Sequence, residues 1–309
     1  MDSRVNRKKK KKWPWIVGVI GVLVLGVVVY GAMIVKNLTD TAKEIHEPIE
    51  RAVSEKREEP VVFKDAEPFS MLVLGVDERE GDSGRSDTMI VMTVNPETKS
   101  TKMVSIPRDT YTEIVGKGIN DKINHAYAFG GTEMSMATVE NLLDIPIDYV
   151  VQVNMESFKD IVDAVGGITI NNTLDFKVGS HTYPKGQISL NGDEALDFVR
   201  MRYEDPRGDF GRQDRQKQVI QAVLREGASV SSLLNYKSIF GAIGSNVKTN
   251  MTFDEMVEVQ KNYKDAAGKV DQLYIEKGQG QKMNNIWYYI MNDEELNGIT
   301  SELKEHLEL

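Results

Sequence analysis

The chain has 309 residues, 40% hydrophobic and 28% charged, with no cysteine and four histidines. That describes one large globular domain or two small ones, and it excludes a disulfide framework, a thiolate nucleophile, a Cys-ligated zinc and a His-rich metal site. The net charge of −9 is split between eight basic and one acidic residue in positions 1–36 and thirty basic and forty-six acidic residues beyond, and a basic tip on an acidic body argues against nucleic acid as a partner.

Residues 1–12 read as a cytoplasmic basic tip. From Trp13 to Val35 there are 23 residues without a charge, and a helix of that length spans about 34 Å, enough for the hydrocarbon core of a bilayer. Arg4, Arg7 and Lys8 to Lys12 lie before this run. Positive charge stays inside, so the expectation is a single-pass, type II signal anchor over 13–35 with the remainder extracellular. A cleaved signal peptide has a shorter apolar region and small residues at its cleavage site. Residues 36–67 read as a solvated stalk, rich in Glu and Lys and punctuated by Pro48 and Pro60. Residues 68–309 then form the extracellular domain.

In that domain Ser70–Val76 (SMLVLGV), Thr88–Asn95 (TMIVMTVN) and Thr101–Ile106 (TKMVSI) read as strands, the last two joined as a hairpin. Thr132 is placed as the cap of a helix over Glu133–Leu143, and Asp148–Val153 reads as a strand. Phe158, Ile161, Val162 and Val165 share one face of a helix over Met155–Val165. A short strand Ile168–Ile170 and helices over Asp193–Met201 and Arg212–Glu226 follow. The remainder reads as a Thr252-capped helix to about Tyr263, a strand Val270–Ile275 and a last helix Glu294–Leu307. Strands and helices alternate without an internal repeat, so the expected class is α/β, layered around a central sheet.

Four segments set charge directly beside apolar strands or helices: Gly75–Arg79, Gly84–Thr88, Ser105–Asp109, and Phe198–Tyr203 running on to Asp209–Arg215. Asp77 ends one strand and Asp87 begins the next, with a Gly-rich turn between them. If those strands pair antiparallel, both carboxylates lie at one sheet edge, where hard oxygen ligands suit Mg²⁺. The alternative is that both are turn and cap residues. Arg79, Arg85, Arg108, Arg200, Arg202, Arg212 and Arg215 all sit in or beside these segments. A guanidinium fork matches phosphate oxygens in bidentate fashion, so arginines gathered on an acidic body suggest a local anion pocket. The alternative is that each pairs with a neighbouring carboxylate. No G-x-S-x-G, G-x-x-x-x-G-K-[ST] or H-E-x-x-H run is present. His125 offers a catalytic group or a loop-packing one.

The runs LGVDER, GRSDTMIVMTVNP, VSIPRDTY, DKINHAYAFGG, YVVQVNMESFKDIVDAVGGI, LNGDEALDFVRMRYEDPRGDFGR and RQKQVIQAV occur in order over residues 69–225. Together they resemble the LytR-CpsA-Psr family of bacterial cell-wall enzymes, most of all its Gram-positive wall teichoic acid transferases. The resemblance implies an α/β/α sandwich with a mixed central sheet and a long apolar pocket for a polyprenyl chain. It implies Mg²⁺ on Asp77 and Asp87, and a substrate pyrophosphate on Arg79, Arg85, Arg108, Arg200, Arg202, Arg212 and Arg215. Arg108 and Asp87 carry the catalytic roles. The implied reaction moves an anionic glycopolymer from a polyprenyl-pyrophosphate carrier to a peptidoglycan hydroxyl. Asp87 and Asp109 are both open as the base. A polyprenyl-pyrophosphate hydrolase and a non-catalytic lipid-binding regulator are the rival readings.

Overall fold

The computed structural model describes residues 46–49, 54–76, 84–227 and 247–309. The basic tip, the apolar segment 13–35, Asp77 and Arg79 lie outside the described residues. Among those described, no helix is long and apolar enough to cross a membrane.

Strands β1 (Phe69–Val76), β2 (Ser86–Asn95) and β3 (Ser100–Ser105) form an antiparallel meander. They read as near-continuous apolar runs because both sheet faces are covered. A short hairpin follows, β4 (Tyr111–Ile114) and β5 (Ile119–Lys122). The span α1 (His125–Leu143) is two helical pieces that meet at the non-helical pair Gly130 and Gly131, so the second piece begins where the sequence places it and a single turn over 125–129 precedes it. Gly131 there has φ 62° and ψ −147°, a conformation that side-chain-bearing residues avoid. The Thr132 hydroxyl donates to Gln152 Oε1 at 3.2 Å.

Next come β6 (Tyr149–Asn154), α2 (Met155–Ala164), β7 (Ile168–Asn172), β8 (Phe176–Val178), β9 (His181–Tyr183) and β10 (Gly186–Leu190). Helix α3 (Gly192–Arg200) starts from a capping box between Asn191 and Glu194, and α4 (Asp209–Gly227) follows it. The chain closes with β11 (Val247–Thr249), α5 (Phe253–Asn262), β12 (Val270–Leu273), β13 (Gln279–Met283), β14 (Ile286–Ile290) and α6 (Asp293–His306). Thr252 caps α5 through a box with Glu255, as its sequence position suggests.

The central sheet has the order β11-β6-β1-β2-β3-β12. It is mixed: β6 runs parallel to β1 and β12 parallel to β3, while the other pairs are antiparallel. Leu72, Leu74, Met89, Val91 and Val104 pack against Met136, Val139 and Leu143 of α1 and Ile299 and Leu303 of α6. On the opposite face Val73, Ile90, Met92 and Met103 meet Ile220 and Leu224 of α4. The alternation of neighbours such as Met89, Ile90 and Val91 between these clusters is the two-residue period of a strand covered on both sides.

Residues 54–67 fall in the segment expected to be a solvated stalk, yet they lie on the domain. Arg57 makes a bidentate pair with Asp148 through Nε at 2.7 Å and Nη2 at 3.1 Å. Phe63 is 5% exposed, inside a ring cluster with Phe69, Tyr149 and Tyr263 at centroid distances of 5.2, 5.3 and 5.6 Å. Earlier in the chain, His46 bridges to Thr249 on β11.

Candidate active site

The β1–β2 ladder is regular from Phe69↔Val94 to Gly75↔Thr88, then steps to Val76↔Ser86. Asp87 is the extra residue of this bulge, and a bulge re-aims the side chain it carries. Gly75 is required opposite it, since a Cβ there would lie 2.9 Å from the Thr88 Cβ. β1 and β2 pair antiparallel, which puts Asp87 beside the end of β1 at Val76; Asp77 is outside the described residues.

Arg108 leaves the end of β3, where the Ile106 amide still bonds the Met89 carbonyl at 2.9 Å. Its Nη1 donates to Asp87 Oδ1 at 2.7 Å, and its Nε stands 3.8 Å from Asp109 Oδ2. Lys122 of β5 donates to Asp109 Oδ1 at 2.6 Å. Burial alone would push the Arg108 guanidinium down; the hydrogen bond and charge of Asp87, with the charges of Asp109 and Asp209, outweigh it and hold it above its ordinary value.

The first turn of α4 supplies Asp209 and Arg212, paired at 2.6 Å between Oδ1 and Nη2. Arg212 behaves opposite to Arg108. Burial pushes it below its ordinary value; Asp209 opposes that, while the positive charges of Arg108 and Arg202 add to it. Its Nε is buried without a hydrogen-bond acceptor. Three guanidinium groups that repel one another, one with an orphaned donor, gain from an anion placed between them.

The structure therefore brings Asp87, Arg108, Arg202 and Arg212 together. Arg85 is exposed two residues before Asp87. Arg200 closes α3 and Arg202 follows it, both exposed. None of Arg85, Arg200 and Arg202 has an ion pair among the described residues. Arg215 does something else. Its Nε and Nη2 donate to the Phe198 and Met201 carbonyls at 3.1 and 2.5 Å, and Nη1 donates to Asp205 at 2.5 Å. With 5% of its side chain exposed, it clamps α4 to the end of α3 with all three of its nitrogens bonded inside the protein. Asp209 and Lys122 are cluster members that the residue pattern did not single out; the signal available was their place in the DFGR and DKINH runs.

Among the described residues no group of three His, Cys, Asp or Glu side chains could hold a metal ion. The Asp87 carboxylate still fits the hard-ligand chemistry of Mg²⁺. Only its Oδ1 is taken by Arg108, and its side chain is 34% exposed.

A mixed sheet that carries converging arginines and a carboxylate at one strand end defines a phosphate-handling α/β domain. The chain belongs to the LytR-CpsA-Psr family, whose profile, the LytR_cpsA_psr family, matches residues 32–305. It is 53% identical over 308 residues, all of both chains, to the polyisoprenyl-teichoic acid–peptidoglycan teichoic acid transferase TagU of Bacillus subtilis. The crystal structure of B. subtilis TagU is 52% identical over 79% of this chain and 98% of its own, with a TM-score of 0.63. A structure of TagT bound to LIIa-WTA is 31% identical over 85% of this chain and 100% of its own, with a TM-score of 0.74.

Proposed function

We propose that this chain is a phosphotransferase that moves an anionic cell-wall glycopolymer of the teichoic acid type from a polyprenyl-pyrophosphate lipid to a peptidoglycan hydroxyl. The observation that carries this reading is the convergence of Arg108, Arg202 and Arg212 beside Asp87, with the buried Arg212 Nε awaiting an acceptor. A pyrophosphate supplies that acceptor and the negative charge the cluster lacks.

In the reaction the hydroxyl oxygen bonds to the phosphorus that carries the glycopolymer. The bond from that phosphorus to the bridging oxygen breaks, and its electron pair leaves with polyprenyl phosphate. Negative charge develops on the bridging and equatorial oxygens, and preorganised guanidinium groups stabilise it without reorganising. Arg108 is oriented for this by Asp87, and Arg212 by Asp209. Mg²⁺, when bound by Asp87 with Asp77, would neutralise phosphate oxygens. No covalent nucleophile is needed, which accords with a chain that lacks cysteine.

The layers of α1 with α6 on one sheet face and α4 on the other are read as the α/β/α sandwich. The polyprenyl tail is assigned to the α4 side, between that helix and the sheet residues Val73, Ile90, Met92 and Met103 that pack against it. Residues 13–35 are assigned as the anchor, with the domain outside the cell.

The test incubates the full chain in detergent with Mg²⁺, a lipid-pyrophosphate-linked sugar donor and uncross-linked peptidoglycan, with products followed by mass. Sugar phosphate attached to the glycan and lipid monophosphate released is the expected result. Donor cleaved without attachment would make the protein a hydrolase, and donor bound but untouched would make it a lipid binder.

A further inference from the structure

A hydroxyl that attacks phosphorus must give up its proton, and the two carboxylates beside Arg108 each already carry an ion pair that taking up a proton would break. Asp87 is held by Arg108 and Asp109 by Lys122. We propose, resting on the transferase reading above, that His125 is the general base, its Nε2 taking the proton of the acceptor hydroxyl, with Asp121 and Tyr288 as positioning residues.

The geometry begins with Asp121. One of its oxygens, Oδ2, faces His125 Nδ1 at 2.7 Å, and the other accepts from the Tyr288 hydroxyl at 3.2 Å. A carboxylate on Nδ1 fixes the proton there and leaves Nε2 as the acceptor. Nε2 has no hydrogen bond among the described residues, and the side chain is 23% exposed. Burial pushes the Asp121 carboxyl up, but hydrogen bonds from His125, the Lys122 amide and Tyr288 prevail and hold it below its ordinary value. It stays ionised and is ready to stabilise an imidazolium. The His125–Asp121 pair thus has the parts of a base and its orienter.

The pair is stitched to the arginine cluster. The Asn124 amide donates to the Arg108 carbonyl at 3.3 Å and the Ile123 amide to the Thr110 carbonyl at 2.8 Å. His125 therefore stands one residue beyond a direct backbone bond to Arg108. Lys122 reaches both Asp109 and the Tyr288 ring, which lies 5.9 Å from its Nζ. Side chains thus connect without a break from Arg108 through Asp109, Lys122 and Tyr288 to Asp121 and His125. Asp121 and the Phe129 ring contact the imidazole, and the charged and titratable groups one contact further out are Tyr288 of β14 on Asp121, Lys122 of β5 and Tyr111 of β4 on Tyr288, and Lys117, whose Nζ lies over the Phe129 ring at 5.3 Å.

In the step, the acceptor O–H bond breaks toward Nε2 while the oxygen–phosphorus bond forms and the bridging P–O bond breaks. The proton then passes from the imidazolium to the departing lipid phosphate or to water.

The experiment compares full-length wild type with His125→Gln, His125→Ala and Asp121→Asn in the transfer assay, with donor KM, kcat and the pH–rate profile measured. A base of this kind contributes on the order of 100-fold or more. Both His125 variants are expected to lose at least that in kcat with donor KM within about twofold, and to lose the acid limb of the profile. Added imidazole should restore part of the His125→Ala rate, and Asp121→Asn should fall between the two. Folded His125→Gln with the wild-type rate and profile, while wild type transfers normally, would overturn the proposal and leave the transferase reading standing. Absence of transfer by wild type itself would overturn both.

Discussion

Arg108 and Arg215 carry the same guanidinium group into different settings. Arg108 keeps 24% of its side chain exposed and spends one nitrogen on Asp87. Arg215 spends all three nitrogens inside the protein. Arg108→Ala is therefore expected to lower transfer at least about tenfold, some 1.4 kcal/mol of barrier, at an unchanged melting temperature. Arg215→Ala takes the 2.5 Å partner from Asp205, whose side chain is 2% exposed, and leaves it only the Arg207 amide and the Arg207 Nε at 3.5 Å. That change should cost about 3 kcal/mol of stability, the low end for a broken buried pair because Arg207 remains, read by denaturant unfolding. The motif runs place both residues correctly in sequence, but nothing in residue type or spacing distinguishes a guanidinium facing the cluster from one folded back onto carbonyls. Only packing does that, and here Gly211, pressed against Asp205, brings α4 close enough for the clamp.

At the scale of elements, α6 is docked by its apolar face and by one histidine that bonds two strands. His306 Nδ1 meets the Thr93 hydroxyl of β2 at 2.7 Å, and Nε2 meets the Ser100 hydroxyl of β3 at 2.9 Å. Burial, with the nearby charge of Lys102, pushes the imidazole down to about 4. An unfolded histidine takes its proton near pH 6.5, so between pH 6.5 and about 4 the unfolded chain binds a proton that the folded one refuses. Stability present above pH 6.5 is thus lost as pH falls, by about 3 kcal/mol at the lower end. Unfolding measured from pH 7 to 4 should show wild type losing more than His306→Gln over that window. Elements such as α6 and the strands of the meander are legible in the sequence because a continuous face is buried. The hairpins β4–β5, β8–β9 and β13–β14 are not, because strands of three to five residues are too short to establish a two-residue period. Gly130–Gly131 is a boundary between two helical pieces of α1, as it reads in the sequence, and the piece before it, 125–129, is too short to carry a helical period.

Across the whole molecule, the segment before β1 is part of the fold. Phe63 closes a cluster of four rings with Phe69, Tyr149 and Tyr263, and Arg57 neutralises Asp148 at the foot of β6. Composition hides this, because the stretch from Ser54 to Glu67 is dominated by Glu and Lys and a single phenylalanine makes the contact. Phe63→Ala is expected to cost about 3–5 kcal/mol, measured by equilibrium unfolding. A chain that begins at Pro68 should melt below one that begins at Ser54.

The docking of His46 beside β11 has a further consequence for how such a protein would search for its donor. In a chain anchored at 13–35, only residues 36–45 separate the bilayer from a point fixed on the domain. Ten residues extend at most about 36 Å. The leash is short, so the domain would patrol a thin shell over the membrane and meet lipid-borne donor by lateral diffusion in two dimensions. Lengthening 36–45 with a Gly/Ser insert would widen that shell and dilute the encounter without touching a single side chain of the site.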